Sequence, residues 1–503
     1  MTTVWVLGDQ LSRRRGPLAA DPDRVLMVEA AEFARRRRYH PQKLVLVFAA
    51  MRHRRDDLRA DGVEVVYERA ETFADGLDAY FEQYPGDDLV VQRPASHGAA
   101  DRLRRLVEDR GGSLDVVPNA NFLCSPAQFD DWQGTEPPFD HESFYREMRR
   151  ETGYLVDEDG NPEGGEWNYD DQNRETPPAD YESPPVPSFE DGDHVPALRE
   201  WVADEFDTWG DPTGFDWPVT RGQAERALDD FLTHRLPAFG PYEDAVLADD
   251  WHLEHSLLSS ALNVGLLDPD EVVEAAIEAY RARDDVPLNS VEGFVRQILG
   301  WREFMRHVYR LEMPELASAN QLGADRDLPA LYWDADATDM ACLSSAVGRV
   351  YDRGYAHHIE RLMLLSNFAL TYGASPQALN DWFHGGFVDA YHWVVTPNVV
   401  GMGVFGTDAF TTKPYASSAN YVDRMTDHCA DCAFDPDATV GERACPFNSL
   451  YWDFLATHED RLRSNHRMGL VYSHLDDKRD AGDLAAIRER ARHVRRRAAA
   501  GDL

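Results

Sequence analysis

No stretch of this 503-residue chain approaches the ~20 consecutive apolar residues that a membrane span requires. The longest apolar run, residues 44–51, reads instead as a buried strand. The opening residues, MTTVWVLGDQLS, lack a basic segment followed by a hydrophobic one, so they do not read as a secretory signal. Cysteine is scarce, five in all, too few for a disulfide scaffold in a chain this long. These absences point to a reducing cytoplasm. Positive charge is short as well: 51 Lys+Arg face 90 Asp+Glu, leaving −39 and a pI near 4.7. Such a balance argues against a polyanionic partner held by charge alone, because nucleic-acid binding needs local cation density. It fits a halophilic proteome, whose acidic surfaces stay hydrated while salt screens their repulsion.

What is present is enough to build two or three domains with a large core: 43% of the residues are apolar and 11% aromatic. The first third alternates short β-branched runs, at 4–7, 25–28, 44–48, 63–67 and 89–92, with helix-compatible stretches such as 30–38 and 100–108. Continuous apolar runs separated by helices predict a doubly wound parallel sheet, Rossmann-like in class. Ligands of such sheets sit at the carboxyl ends of strands, which is where Gly8-Asp9-Gln10 falls. From 152 to about 194 the chain turns loop-like, and GGEWNYDDQNR at 164–174, with Trp167 and Tyr169, reads as a docking loop or a packed linker. Beyond residue 200 the period is helical, at 224–236, 271–283, 291–309, 346–351 and 358–372. The expected division is therefore an α/β domain over 1–130, a connector over 131–198 and a large helical domain over 199–503. The Arg-rich stretch 488–497 reads as a solvated helix end. No internal repeat is present.

Four of the five cysteines belong together. Cys429-x2-Cys432 is followed by Cys445-Pro446, and Cys342 lies upstream in the helical region; Cys124 stands apart and reads as a small core residue. Four thiolates suit either a structural zinc ion or a [4Fe–4S] cluster. Zinc ribbons show two paired knuckles, whereas two of these ligands are single, which tilts the pattern towards iron–sulfur.

At these residues the sequence resembles the iron–sulfur bacterial cryptochromes and photolyases, the prokaryotic (6-4) photolyase group. The resemblance runs through VLGDQLS at the start, SLLSSALNVGLL (256–267), GWREFMRHVY (300–309), GYAHHIERLMLLSNFAL (354–370), DAYHWV (389–394), PNVVGM (397–402), KPYASSANY (413–421) and CPFNSLYWDFL (445–455). Their order and spacing together are specific. The resemblance implies FAD in the helical domain, a [4Fe–4S] cluster on Cys342, Cys429, Cys432 and Cys445, and a lumazine-type antenna, 6,7-dimethyl-8-ribityllumazine, near Asp9, Gln10 and Glu29. It places His255, Ser256, Leu258 and Ser259 beside the FAD phosphates, where hydroxyls and N–H groups at a helix start suit an anion. Arg302, Arg361, Asp389 and Asn398 match positions near the flavin, with Tyr242, Lys413 and Tyr415 as weaker matches.

His358, of the His357–His358 pair, matches the histidine that supports proton transfer to a (6-4) lesion, a role that imidazole fits by titrating near neutrality. Taken without the resemblance, either histidine reads as satisfying a buried hydrogen bond. Gln297 and Trp301, at i and i+4 on one helix face, match the lesion pocket. Trp382 and Trp333 match electron-transfer aromatics. Two departures stand out: Phe383 replaces a tyrosine of relatives, and no acid precedes Pro397-Asn398. The implied activity is light-driven repair of UV-damaged DNA by a monomeric lyase. The alternatives are a blue-light receptor with the same cofactors and an iron–sulfur flavoprotein of electron transfer.

Overall fold

The structure, a computed structural model, describes residues 2–178, 180–189 and 193–503. Its first part is a five-stranded parallel sheet in the order β3-β2-β1-β4-β5, made by Thr3–Val6 (β1), Arg24–Ala30 (β2), Glu64–Ala70 (β3), Asp88–Gln92 (β4) and Ser113–Val117 (β5). β1 and β2 are buried along their whole length, which is why their sequences show no alternation. The order reverses direction at β1, so the loop after it, Leu7–Gln10, opens at the switch point of the sheet.

Three sequence expectations fail here. Residues 44–48 are not a strand but lie inside helix α1, Pro41–Ala60. Its first three turns are buried on every side, so the helical period is erased and an apolar run remains. Its start is nonetheless marked, by Pro41 in the first turn and by His40 Nδ1, which accepts from the Gln42 N–H at 3.2 Å. The fifth strand is instead β5, whose half-exposed SLDVV gives a weak signal. Residues 30–38 hold only one tight turn, Ala31–Phe33, because β2 runs on to Ala30. The stretch 100–108 does fall in a helix, Ala99–Glu108.

The rest of the described chain is helical, with no further sheet. Four of its helical segments widen into i→i+5 turns, at Phe231–Arg235, Arg296–Arg302, Glu360–Ser366 and Pro397–Gly403. Such turns cost hydrogen-bond geometry and are frequent at functional sites. The Arg-rich end is not a solvated tip. It lies in the helix Leu484–Ala500, where Arg490 is buried, Arg495 donates to the Thr371 and Tyr372 carbonyls, and Arg488 and Arg495 both pair with Asp453. The sequence pattern missed it because the partners are backbone carbonyls and an acid elsewhere in the chain.

The two parts are joined by buried ties. Lys43, one of only three lysines (with Lys413 and Lys478), is 1% exposed and donates to the carbonyls of His384 and Ala390 at 2.8 and 2.6 Å. Burial pulls its ammonium down to about 7. The Leu11 N–H reaches the Val264 carbonyl, and a Cβ on Gly265 would stand only 2.9 Å from the Ser12 nitrogen, so close approach is what that glycine provides. Among the described residues no helix is long and apolar enough to cross a membrane.

Candidate active site and a four-cysteine pocket

Asp389 is the hub of the first constellation. It is buried, Arg361 grips both its oxygens at 3.1 and 3.0 Å, and the Ser259 hydroxyl donates to it at 2.7 Å. Burial alone would raise its carboxyl, but Arg361 and Ser259 hold it below the usual carboxylate range. The Asn263 amide donates to the Asp389 carbonyl. The stretch before Ser259 is bent by Leu253 and Leu257, both at left-handed φ, a strain that only a tightly determined site sustains. Within it His255 is buried and Ser256 accepts from the Leu258 N–H.

Next to this hub lie three histidines whose ring nitrogens come within 4.8 Å of one another: His255, His357 and His358. His255 and His357 are stacked at 4.5 Å and buried. Burial, and then the neighbouring histidines and arginines, push both well below the histidine range. His358 differs. It keeps 44% of its side chain open to solvent, with Nε2 3.2 Å from Asp244 Oδ1. Burial works against its cation, but the Asp244 bond and the charge of Glu243 behind it lift it above the usual range. Asp244 and Glu243 did not stand out in a chain with 90 acids; their only sequence mark is to follow Tyr242 directly.

Glu243 is buried and raised by that burial; it accepts from Gln297 at 2.5 Å and Asn173 at 3.0 Å. Gln297 thus joins the His358 side. Trp301 does not line up with it: its ring stacks on His141 at 3.7 Å, because the wide turn over Arg296–Arg302 breaks the i, i+4 register. Arg302 likewise turns away from Asp389; it donates to the Asn121 carbonyl at 2.9 Å and lies over the rings of Phe122 and Trp393. Asn398 bonds back to the Val394 carbonyl, Tyr242 packs edge-on against Tyr181, and Tyr415 lies beside Val246, Ile359 and Met363. Lys413 is half-buried and forms no ion pair among the described residues.

Several buried polar atoms around the hub have no hydrogen-bond partner: His255 Nε2, His357 Nδ1, Ser260 Oγ and the Tyr391 hydroxyl. Native interiors seldom leave such groups unpaired, so this set fits a polar ligand bound there.

At the switch point of the sheet, Gln10 donates to the Gln92 carbonyl at 2.9 Å while its Oε1 is buried without a partner. Burial raises Asp9 to about 6. Gln10, Ser12, Arg15, Gln92 and Asn121 help line a small pocket. Glu29 is not free there: Arg52 grips both its oxygens, and Arg69 and Tyr67 add to them.

The second constellation is the cysteines. Cys342, Cys429, Cys432 and Cys445 line one pocket with buried His428 and the apolar Met340, Val422, Phe434 and Phe447. None is in a disulfide, and Cys124 is buried far along the chain from them. Burial, and then the neighbouring sulfurs, push Cys429 up to about 12 and Cys342 well above the thiol range. Four thiols gathered in one largely buried hole fit a bound cation or cluster that takes their protons' place.

Trp382 is buried and Trp333 is 41% exposed. Between them stands Trp209, unmarked among the twelve tryptophans of the sequence.

A parallel sheet with its switch-point pocket, followed by a helical part holding a buried Arg–Asp hub, is the architecture of the photolyases and cryptochromes. Among solved structures, a bacterial class III photolyase from Agrobacterium tumefaciens matches with a TM-score of 0.55 at 18% identity, over 84% of this chain and 86% of that one. An archaeal photolyase from Sulfolobus tokodaii, solved with two FAD molecules, matches with a TM-score of 0.53 at 15% identity, over 81% and 84%. A family model described as deoxyribodipyrimidine photo-lyase-related protein matches residues 4–217. Over 481 residues the chain is 39% identical to a (6-4) photolyase of Agrobacterium fabrum (strain C58), covering 93% of this chain and 94% of that one. The chain belongs to the deoxyribodipyrimidine photo-lyase-related family, together with that (6-4) photolyase.

Proposed function

We propose that this protein repairs the pyrimidine (6-4) pyrimidone photoproduct in UV-damaged DNA under light. The observation that carries the reading is His358: a histidine partly open to solvent, biased towards its cation by Asp244, and beside buried polar atoms that have no partner. The near full-length likeness to a (6-4) photolyase supports it.

FAD fits the hub around Asp389, and when bound and reduced it supplies an electron to the lesion on illumination. Arg361, Asp389, His255 and Ser259 would hold it, with Ser256, Leu258, Asn398, Tyr242, Lys413 and Tyr415 as further contacts. Asp389 keeps Arg361 fixed and the site charged on one side. His358, protonated, gives a proton to the lesion and takes it back when the repaired bases form. Gln297, positioned by Glu243, orients the flipped lesion; extrusion is cheaper for a damaged pair than for an intact one.

Cys342, Cys429, Cys432 and Cys445 would hold a [4Fe–4S] cluster, the chemistry that four clustered thiolates suit. A lumazine antenna would take Asp9 and the free face of Gln10; Glu29, already saturated by two arginines, supports the site from behind. We retain the division into 1–130, 131–198 and 199–503.

The test is illumination of the photoreduced holoprotein in high salt with a defined (6-4) oligonucleotide, beside His358→Ala. Restored bases with the parent and none with the variant support the reading. No restoration by a parent holding flavin and cluster overturns it in favour of a receptor.

A further inference from the structure

Acids outnumber bases in this chain by 90 to 51, so a buried arginine that finds no acid is out of place. Arg306 is such a residue. It is 7% exposed, makes no hydrogen bond or ion pair among the described residues, and leaves its Nε buried without a partner. Its guanidinium lies over the Phe122 ring at 4.9 Å, and Arg302 lies over the same ring at 4.6 Å. Glu303, between the two in sequence, is already occupied. One oxygen takes Arg302 at 3.2 Å, and the other takes the Leu123 and Cys124 N–H groups at 2.9 and 3.0 Å. Burial pulls Arg306 down to about 10; Glu303 opposes this, and the charges of Arg310 and Arg93 add to it. Arg310 has an acid of its own, Asp130. Arg93 is exposed and its side chain has no partner among the described residues.

Arg93 opens the loop between β4 and the helix Ala99–Glu108. That loop is fastened beside Arg306: Ala95 packs with Phe122, Tyr309 and Trp393, and the Tyr309 hydroxyl accepts from the His97 N–H at 3.1 Å. Arg102, in the first turn of the helix, reaches back to the His97 carbonyl at 3.4 Å and has no acid among the described residues. The helix starts at Gly98 with no side chain capping its free N–H groups, and Asp101 in its first turn is turned to Arg104. β4 pairs with β1 where the strand order reverses, so this loop and Leu7–Gln10 flank one crevice. Gln92 and Asn121, which line the small pocket there, directly precede Arg93 and Phe122 in the chain. Arg93, Arg102 and Arg306 thus gather at the rim of that pocket with no acid to neutralise them. A buried guanidinium calls for a counter-charge, and its planar fork matches the oxygens of a phosphate.

We propose that Arg306, Arg93 and Arg102 form a phosphate site at the rim of the switch-point pocket, taking the phosphate ester of a small compound whose ring enters the pocket. A ribityllumazine carries no phosphate, so this site goes beyond the antenna reading and does not rest on it. Because Arg306 is buried, a phosphate on a flexible arm reaches it, whereas one fixed along a duplex does not.

The experiment is calorimetric titration of the FAD-loaded protein, its hub filled, at constant ionic strength. The probes are inorganic phosphate, riboflavin and flavin mononucleotide, which is riboflavin with a phosphate on its arm. The parent is expected to bind phosphate, and to hold flavin mononucleotide more tightly than riboflavin by about tenfold or more. Arg306→Met should abolish phosphate binding and make the two flavins equal, while Arg306→Lys keeps part of the preference. If Arg306→Met fails to fold, Arg93→Ser, changed only at an exposed side chain without partners, must still weaken phosphate binding severalfold. A parent that binds no phosphate, or that binds the two flavins equally, overturns the proposal. So does phosphate binding that is unchanged in both Arg306→Met and Arg93→Ser. Displacement of the bound phosphate by undamaged duplex DNA overturns it as well, and gives the arginines to a nucleic acid.

Discussion

Replacing Asp244 by Asn isolates the proton role of His358. Asp244 Oδ1 stands 3.2 Å from His358 Nε2. Two unit charges at that separation attract by about 5 kcal/mol at an effective dielectric of ~20, and by about 1.3 kcal/mol in water. The 44% opening of His358 admits solvent, so screening pulls the value to the lower end, about 1–2 kcal/mol. Burial goes on opposing the cation in the variant, so its His358 returns to or below the usual histidine range. The proton donor is the protonated ring, present below its pKa and lost as pH rises through it. Light-driven repair of a (6-4) oligonucleotide by the reduced enzyme should therefore hold to higher pH in the parent. In Asp244→Asn the alkaline limb should move to lower pH, with flavin content unchanged. A limb that stays in place while the variant still repairs would refute the pairing as the source of the bias. Loss of repair at every pH would show Asp244 to act on the substrate itself.

Other outcomes follow from separate features. Between about pH 7 and 10 a folded Lys43 has released its proton while an unfolded one still holds it. Stability should thus rise with pH there by up to about 1.4 kcal/mol per unit relative to Lys43→Met, read as a parent melting temperature that climbs against the variant's as pH rises. Cys432→Ser should lower bound iron well below about four atoms per chain by elemental analysis, and unchanged iron would remove that residue from the ligand set. With a net charge of −39, binding to undamaged DNA should be weak and its salt slope shallow in a fluorescence titration; a slope as steep as that of basic DNA binders would count against it.

The sheet was legible where strands are buried on both faces, and its parallel class followed from the helices between them. Helix α1 was not, because a segment enclosed on all sides carries no period, and only His40 and Pro41 mark its start. The cysteine group was legible from spacing, since thiols are rare enough here for proximity in sequence to mean something. Asp244 and Trp209 were invisible for the opposite reason: acids and tryptophans are common in this chain, and what singles these two out is a neighbour more than a hundred residues away. Gln297 and Trp301 show a third cause. Their spacing is helical, but one widened turn sends them to different partners.

The tie made by Lys43 has a consequence for light. Its amine is anchored on two carbonyls that flank Asp389, while its backbone belongs to the helix lying against the sheet. Moving the two halves apart would break both bonds. Passage of excitation between chromophores falls steeply with their separation and depends on their mutual angle. A lysine used as a strut between the two halves would fix both quantities for any pair of chromophores held one in each half.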